Sequence, residues 1–413
     1  MPDVDRAIVV GAGVAGAEAA IALRRQGFAG PITLFGAERH RPYQRPPLSK
    51  SYLAGAATVD SLFAKPDAAY EKAGIEIACG TRVEAIDRAA RTIMLSDGRT
   101  LAYRALILAL GGRARSLSAV LKGIPASLAN LHSIRTLDDV DRLKPQLAPR
   151  KRMVIVGGGY VGLEIAAVAT KLGLEVCVLE RLPRVLARVT APQVSAFYEK
   201  IHREAGVQVH TGVEIAGLEL DPTGEHIQAI SLGDGRSIPA DIVIAGVGMV
   251  PNVELAKRAG LAVSDGIVVD GEARTDDPAV FAIGDCSCRP CIGQADRMRL
   301  ESVPNALEQA RTAAAAICSK PLVASGVPWF WSDQYDLKLQ IAGISRGYQD
   351  VVVRGSIEDR HFCVFYLSDD RLIAADTINS PQDFSAARAI IGKGTKVDAS
   401  RLADPSVPLG TLG

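Results

Sequence analysis

No apolar stretch of this 413-residue chain approaches the roughly 18 residues that a membrane-spanning helix needs, so no such helix is expected. Charge of one sign is also missing: 47 Lys and Arg stand against 46 Asp and Glu, a formal net charge of +1. That balance argues against general nucleic-acid or membrane-surface binding, which depends on basic excess. The N-terminus, acidic at Asp3 and Asp5, lacks the layout of a secretory signal. With seven cysteines over this length, reduced thiols in a cytoplasm are expected. The six histidines show no metal spacing, and no cysteine occurs between positions 1 and 78. What is present, 48% apolar and 23% charged residues, is ordinary for soluble globular chains and excludes disorder and collagen. The length predicts about two to four domains.

The chain contains a repeat. Arg6–Val10 reads as a buried strand, followed by Gly11-Ala12-Gly13-Val14-Ala15-Gly16 and an Ala-rich helix closing at Gly27. Arg152–Val156 is a second such strand, followed by Gly157-Gly158-Gly159-Tyr160-Val161-Gly162 and a helix closing near Gly173. The third glycine lies 11 residues before the closing glycine in both copies, and the copies are offset by 146 residues. Two strand–GxGxxG–helix units predict two dinucleotide-binding folds. In each, the first glycine makes the tight turn, the second lets backbone approach a pyrophosphate, and the third lets helix and strand pack closely. The helix N-terminus offers free N–H groups and the positive end of its dipole to the phosphates.

The ribose-binding acid differs between the copies. In the second, the strand Val176–Leu179 ends in Glu180, 18 residues past Gly162, where a carboxylate accepts from both adenosine ribose hydroxyls. A 2′-phosphate would be repelled there, so NADH is expected over NADPH; Arg181 and Arg184 follow closely and weaken the argument. In the first copy Gly36 aligns with Glu180, and the nearest carboxylate is Glu38, either a ribose ligand or a solvated loop acid.

A third signature, Thr275-Asp276-Asp277-Pro278-Ala279-Val280-Phe281-Ala282-Ile283-Gly284-Asp285, reads as a turn, a buried strand and Gly-Asp. It resembles the second FAD motif of two-dinucleotide flavoproteins, in which the Asp holds the ribityl chain. Beyond it, Glu301-Ser302-Val303-Pro304 opens a helix over Asn305–Ile317. A helix N-terminus there would stabilise negative charge on a reduced flavin ring.

The segment Pro42-Tyr43-Gln44-Arg45-Pro46-Pro47-Leu48-Ser49-Lys50 resembles the corresponding segment of bacterial FAD-dependent NADH:ferredoxin reductases, the putidaredoxin reductase type that serves cytochrome P-450 and aromatic-ring dioxygenase systems. The similarity continues through Gly157–Glu164, Thr275–Asp285, Glu301–Glu308 and Pro328-Trp329-Phe330-Trp331-Ser332-Asp333-Gln334, nearly the whole chain. It implies an α/β fold of the glutathione-reductase-like flavoprotein superfamily, with two Rossmann-like domains and a C-terminal α+β domain. The expected division is an FAD-binding domain over 1–112 and 246–323, a NAD-binding domain over 113–245, and the C-terminal domain over 324–413. Two family features are absent: Ala37 stands where an acid is usual, and Leu110-Gly111 replaces a frequent Thr-Gly. Both bear on the adenosine end of the FAD site.

Related disulfide reductases need a Cys pair beside the flavin, and peroxidase and oxidase relatives need one Cys; the region here holds Arg45, Pro46, Pro47 and Lys50. Electrons must then leave the flavin directly, to a one-electron protein carrier. The resemblance makes Lys50 and Glu164 the central pair, meeting near flavin N5 and the nicotinamide. Tyr160 would cover the nicotinamide face of the flavin, and Trp331 would lie at its edge. It also implies FAD contacts from Gly11, Gly13, Ala15, Gly16, Glu38, Arg45, Lys50, Val83, Arg135, Gly284, Asp285, Val303 and Trp331, and NAD contacts from Gly157, Gly159, Gly162, Glu180 and Gly248. Cys286, Cys288 and Cys291 lack an obvious fourth ligand, so no metal site is expected. The expected partner is a 2Fe–2S ferredoxin, held transiently by charge, with Arg311, Lys338 and Arg346 as docking candidates and the reductase a monomer or weak homodimer. Two other functions share the motifs: rubredoxin reductase, and an NADH-sensing flavoprotein of the apoptosis-inducing-factor type.

Overall fold

The computed structural model of the chain describes residues 5–125, 128–291, 296–322 and 325–412. Residues 1–4 and the expected boundary at 323/324 lie outside them. The two repeat copies fold alike. Strand β1 (Ala7–Val10), helix α1 (Val14–Arg25) and strand β2 (Ile32–Gly36) form the first; β3 (Arg152–Val156), α2 (Tyr160–Lys171) and β4 (Glu175–Glu180) form the second. Gly27 and Gly173 close the helices at positive φ, +91° and +82°, where a side chain would be strained. The remaining elements used below are helices α3 (Pro192–Glu204) and α4 (Val303–Ile317) and strand β5 (Trp329–Gln334).

The chain divides into two compact units. The first comprises residues 1–45, 59–113 and 250–325. Its sheet is parallel, in the order Val280–Ala282, Ala105–Leu108, β1, β2, Ile75–Cys79. β1, Ala105–Leu108 and Val280–Ala282 are buried along their whole length, the run of Val, Ile and Leu that a sheet covered on both faces requires. α1 packs on α4 through small residues: Ala17 and Ala20 share one core with Ala310, Ala313 and Ala314. Methyl-sized side chains let two helix backbones approach closely at native packing density.

The second unit comprises residues 46–58, 114–249 and 326–413. Its parallel sheet has the same plan, in the order Gln208–Thr211, β4, β3, Ile242–Ala245, Leu131–His132. The unit also holds a five-stranded antiparallel sheet, β5, Leu337–Gly343, Arg371–Ile378, His361–Ser368, Asp350–Ser356, covered by the helix Pro381–Lys393. Among the described residues no helix is long and apolar enough to cross a membrane.

Candidate active site

The glycines of the two loops divide by physical cause. A Cβ on Gly11 would lie 2.1 Å from the Ala109 carbonyl oxygen, and one on Gly16 2.0 Å from that of Gly11. In the second loop the distances are 2.4 Å from Gly157 to Gly246 O and 2.2 Å from Gly162 to Gly157 O. Gly11 and Gly157 also sit at φ +113° and +110°. These four are glycine because the protein leaves no room for more. Gly13 and Gly159 are different. Both are extended (φ −86°, ψ −173° and φ −82°, ψ 178°), conformations open to any residue, and a Cβ on either meets no described atom within 4 Å. Nothing inside the protein asks for glycine there. Both are N-cap positions without a capping side chain, so the first N–H groups of α1 and α2 face the open space. A bound pyrophosphate, seated against each helix start, accounts for both features.

The strand-end position shows a reciprocal exchange. In the first loop Ala12 carries the methyl group and Gly36 has none; a Cβ on Gly36 would lie 2.6 Å from that methyl. In the second loop Gly158 lacks the side chain and Glu180 has one, 3.2 Å from where a Gly158 Cβ would be. The space taken by Ala12 in one copy is the carboxylate position of the other. Glu180 Oε2 accepts from the Gly158 N–H (2.7 Å) and Oε1 from the Leu182 N–H (2.8 Å), which fixes the carboxylate at the loop. Arg184 is turned to Ser195 Oγ (2.5 Å) and the Ala187 carbonyl (3.0 Å). Arg181, the other arginine that qualified the case for NADH, is exposed.

In the first unit, Glu38 receives Arg45 (2.6 Å) and the Tyr43 hydroxyl (2.6 Å), and Arg45 also feels the charge of Asp285. Gly284 (φ +71°) would place a Cβ 3.2 Å from that of Ala15 and 3.7 Å from that of Ala306, so the Gly-Asp signature lies between the starts of α1 and α4. Its N–H donates to Gln309 Oε1 (2.8 Å). Val303 opens α4 after the N-cap Ser302, and Val83 is buried at the start of the strand Val83–Asp87. Arg311 keeps a half-exposed side chain, 55% accessible, and also makes an ion pair. With Lys65 it holds the buried Glu18 (2.8 and 3.2 Å), so reversing its charge would strand a carboxylate in the core. Lys338 and Arg346 are exposed. The seven cysteines are unpaired, and the Cys286 thiol donates to the carbonyls of Ile283 and Leu108.

In the second unit, Lys50 Nζ lies 2.7 Å from Glu164 Oε2. Lys50 follows a short 3₁₀ turn, Pro46–Ser49, and Glu164 is on the first turns of α2. Glu164 is 4% exposed and its two oxygens accept from Ser49 Oγ (2.6 Å), Lys50 and Ser332 Oγ (2.6 Å). The pair flanks a cleft of about 240 Å³. Sequence reasoning missed both serines; the quoted motifs contain them, but nothing in their spacing marks a shared acceptor. Tyr160, four residues before Glu164, leans on Phe330 at 5.0 Å, and its buried hydroxyl has no described partner. Trp331 stands 5.6 Å from Trp329 on β5. Arg135 precedes the helix Leu137–Leu143, its N–H donating to Asp139 (3.1 Å), and Gly248 sits at φ +99°.

Near Tyr160 lies Asp376, 1% exposed, one oxygen taking the Tyr366 hydroxyl (2.5 Å) and the other unpartnered among the described residues. Burial pushes its carboxyl up to about 7, against the Tyr366 bond. The folded state therefore binds this proton more tightly than the unfolded chain, and stability is lost as pH rises from about 4 to about 7. Asp376→Asn is expected to raise the melting temperature at pH 8 while changing it little at pH 4. At 1.36 kcal/mol per unit the gain is at most about 4 kcal/mol, and thermal scans at both pH values check it.

Residues 5–310 match the family described as pyridine nucleotide-disulphide oxidoreductase, and residues 329–413 the reductase C-terminal family. Putidaredoxin reductase CamA of Pseudomonas putida is 47% identical over 406 residues, 98% of this chain and 96% of that protein. The chain belongs to the FAD-dependent ferredoxin reductases of the pyridine nucleotide-disulphide oxidoreductase family. A second such reductase, the 5,5'-dehydrodivanillate O-demethylase ferredoxin reductase subunit of a Sphingobium species, is 42% identical over 414 residues, 100% of this chain and 99% of that one. The reductase fold also matches the crystal structure of the covalent putidaredoxin reductase–putidaredoxin complex, at TM-score 0.95 and 46% identity, covering 98% of this chain and 97% of that one. FAD and NAD(H) are the cofactors of the family, and the two open glycine cradles with uncapped helix starts fit their pyrophosphates.

Proposed function

We propose that the chain is a cytoplasmic NADH:ferredoxin reductase that passes electrons from NADH to a 2Fe–2S ferredoxin serving a cytochrome P-450 or ring-hydroxylating dioxygenase. The observation that carries this is the Lys50–Glu164 pair at 2.7 Å in a stretch where the family's disulfide reductases would need cysteine and where residues 1–78 have none. Bound flavin supplies the redox chemistry, accepting a hydride and yielding single electrons. The first loop, Arg45 and Asp285 hold FAD; the second loop and Glu180 hold NADH. Lys50 sets a positive charge where negative charge develops during hydride transfer, and Glu164 fixes its direction. Tyr160 and Trp331 border the reacting rings, and Arg135, Val83, Val303 and Gly248 line the cofactors.

The test is cytochrome c reduction with NADH and a panel of purified ferredoxins and rubredoxins. The proposal expects a 2Fe–2S ferredoxin to support fast turnover that declines with salt, as a small charge-steered contact should. Turnover with rubredoxin alone would reassign the enzyme.

NADH is expected to exceed NADPH in kcat/KM by about 2–4 kcal/mol, on the scale of losing charge-assisted hydrogen bonds and gaining like-charge contact. Glu180→Ala should narrow the ratio. Equal kcat/KM for both nucleotides in the parent enzyme would assign the ribose end to Arg181.

A further inference from the structure

Glu164 is the end of a longer chain of hydrogen bonds within the second unit. Its Oε1 accepts from Ser332 Oγ at 2.6 Å, so the serine's own hydrogen is committed. Ser332 Oγ must then accept from Gln334 Nε2 (3.2 Å), which turns the amide oxygen of Gln334 to His202 Nε2 at 2.9 Å. His202 donates from Nε2, and because burial pulls its imidazole down to about 4, the neutral ring leaves Nδ1 to accept the Tyr335 hydroxyl (3.0 Å). Every donor points toward the Glu164 carboxylate, and one end fixes the direction of all four links. Ser332, Gln334 and His202 are each at most 1% exposed.

Stability alone does not call for such a chain, since apolar side chains of the same volume are often equally or more stabilising. On α3, which also carries His202, the buried Tyr198 hydroxyl has no partner among the described residues, so buried polar groups here are not satisfied as a matter of course. Tyr335 at the outer end is held at φ +57°, an unfavourable conformation for a bulky residue.

We infer that Ser332, Gln334 and His202 are positioning residues for hydride transfer: their one-way chain locks the Glu164 carboxylate, and through it Lys50, in the reacting geometry. The inference rests on the role proposed above for Lys50 and Glu164. It is tested with the FAD-loaded enzyme in anaerobic stopped flow, comparing Ser332→Ala, Ser332→Thr, Gln334→Leu and Glu164→Gln. Losing one hydrogen bond to a charged group corresponds to roughly 10–100-fold. Ser332→Ala and Gln334→Leu should lower the limiting rate of flavin bleaching by about tenfold or more, with FAD content and NADH affinity nearly unchanged, and Ser332→Thr should restore most of it. Parent-like limiting rates in both variants, with Glu164→Gln slow, overturn the chain and leave the Glu164 role standing. A parent-like Glu164→Gln overturns that role instead. A loss that follows melting temperature or FAD content in both variants, or that Ser332→Thr does not rescue, makes the chain merely structural and also overturns the inference.

Discussion

Gly159→Ala is expected to purify as a yellow, folded protein that low concentrations of NADH no longer bleach. The added methyl meets no described atom within 4 Å, and the extended backbone at φ −82° accepts alanine, so folding has no reason to suffer. The methyl instead occupies the space in front of the α2 N-terminus. Two displaced phosphate contacts at roughly 1.5–3 kcal/mol each correspond to a loss of about 10²–10⁴-fold in NADH affinity. Gly13→Ala is the mirror experiment: a folded protein that fails to retain FAD. Gly162→Ala is the control for the other kind of glycine. Its methyl would lie 2.2 Å from a carbonyl oxygen, so it should lower the melting temperature as well as NADH binding. Titration calorimetry with NADH and thermal scans separate the two classes. Normal nucleotide affinity in both Gly13→Ala and Gly159→Ala would leave those glycines unexplained.

Lys50→Met should separate stability from catalysis. It leaves Glu164, 4% exposed, with serine donors alone, and breaking a buried ion pair from one side costs about 3–5 kcal/mol; partial exposure of Lys50, at 19%, reduces that to about 2–3 kcal/mol. Flavin reduction by NADH should fall by about 10²–10³-fold, the scale of removing one preorganised charge from a developing anion. Adding Glu164→Gln neutralises the stranded carboxylate and should recover most of the stability and none of the rate. Recovery of both in the double variant would mean that the pair serves folding only.

The β1–α1–β2 and β3–α2–β4 units were legible in the sequence because the strand, glycine loop and closing glycine recur at fixed spacing, each constrained by backbone geometry that few residues satisfy. The alignment of Gly36 with Glu180 is reproduced in the register, where Phe35 pairs with Val10 as Leu179 pairs with Val156. The exchange of Ala12 for Gly158 was not legible, since it depends on which of two facing positions carries the Cβ. The pairing of Arg311 with Glu18 was not legible, since the two lie 293 positions apart. Ser332 and His202 were silent for the same reason: a hydroxyl and an imidazole gain meaning only when the fold lines up their donors and acceptors.

Electrons are expected to leave this enzyme one at a time, from the flavin to a carrier protein and not through a dithiol. The most direct measurement is anaerobic stopped flow in which enzyme reduced by one equivalent of NADH is mixed with oxidised 2Fe–2S ferredoxin, or with lipoamide or glutathione disulfide. Ferredoxin should restore the flavin absorbance rapidly with two ferredoxins reduced per NADH, and neither disulfide should restore it. Rapid reoxidation by a disulfide, with ferredoxin inert, would contradict that expectation.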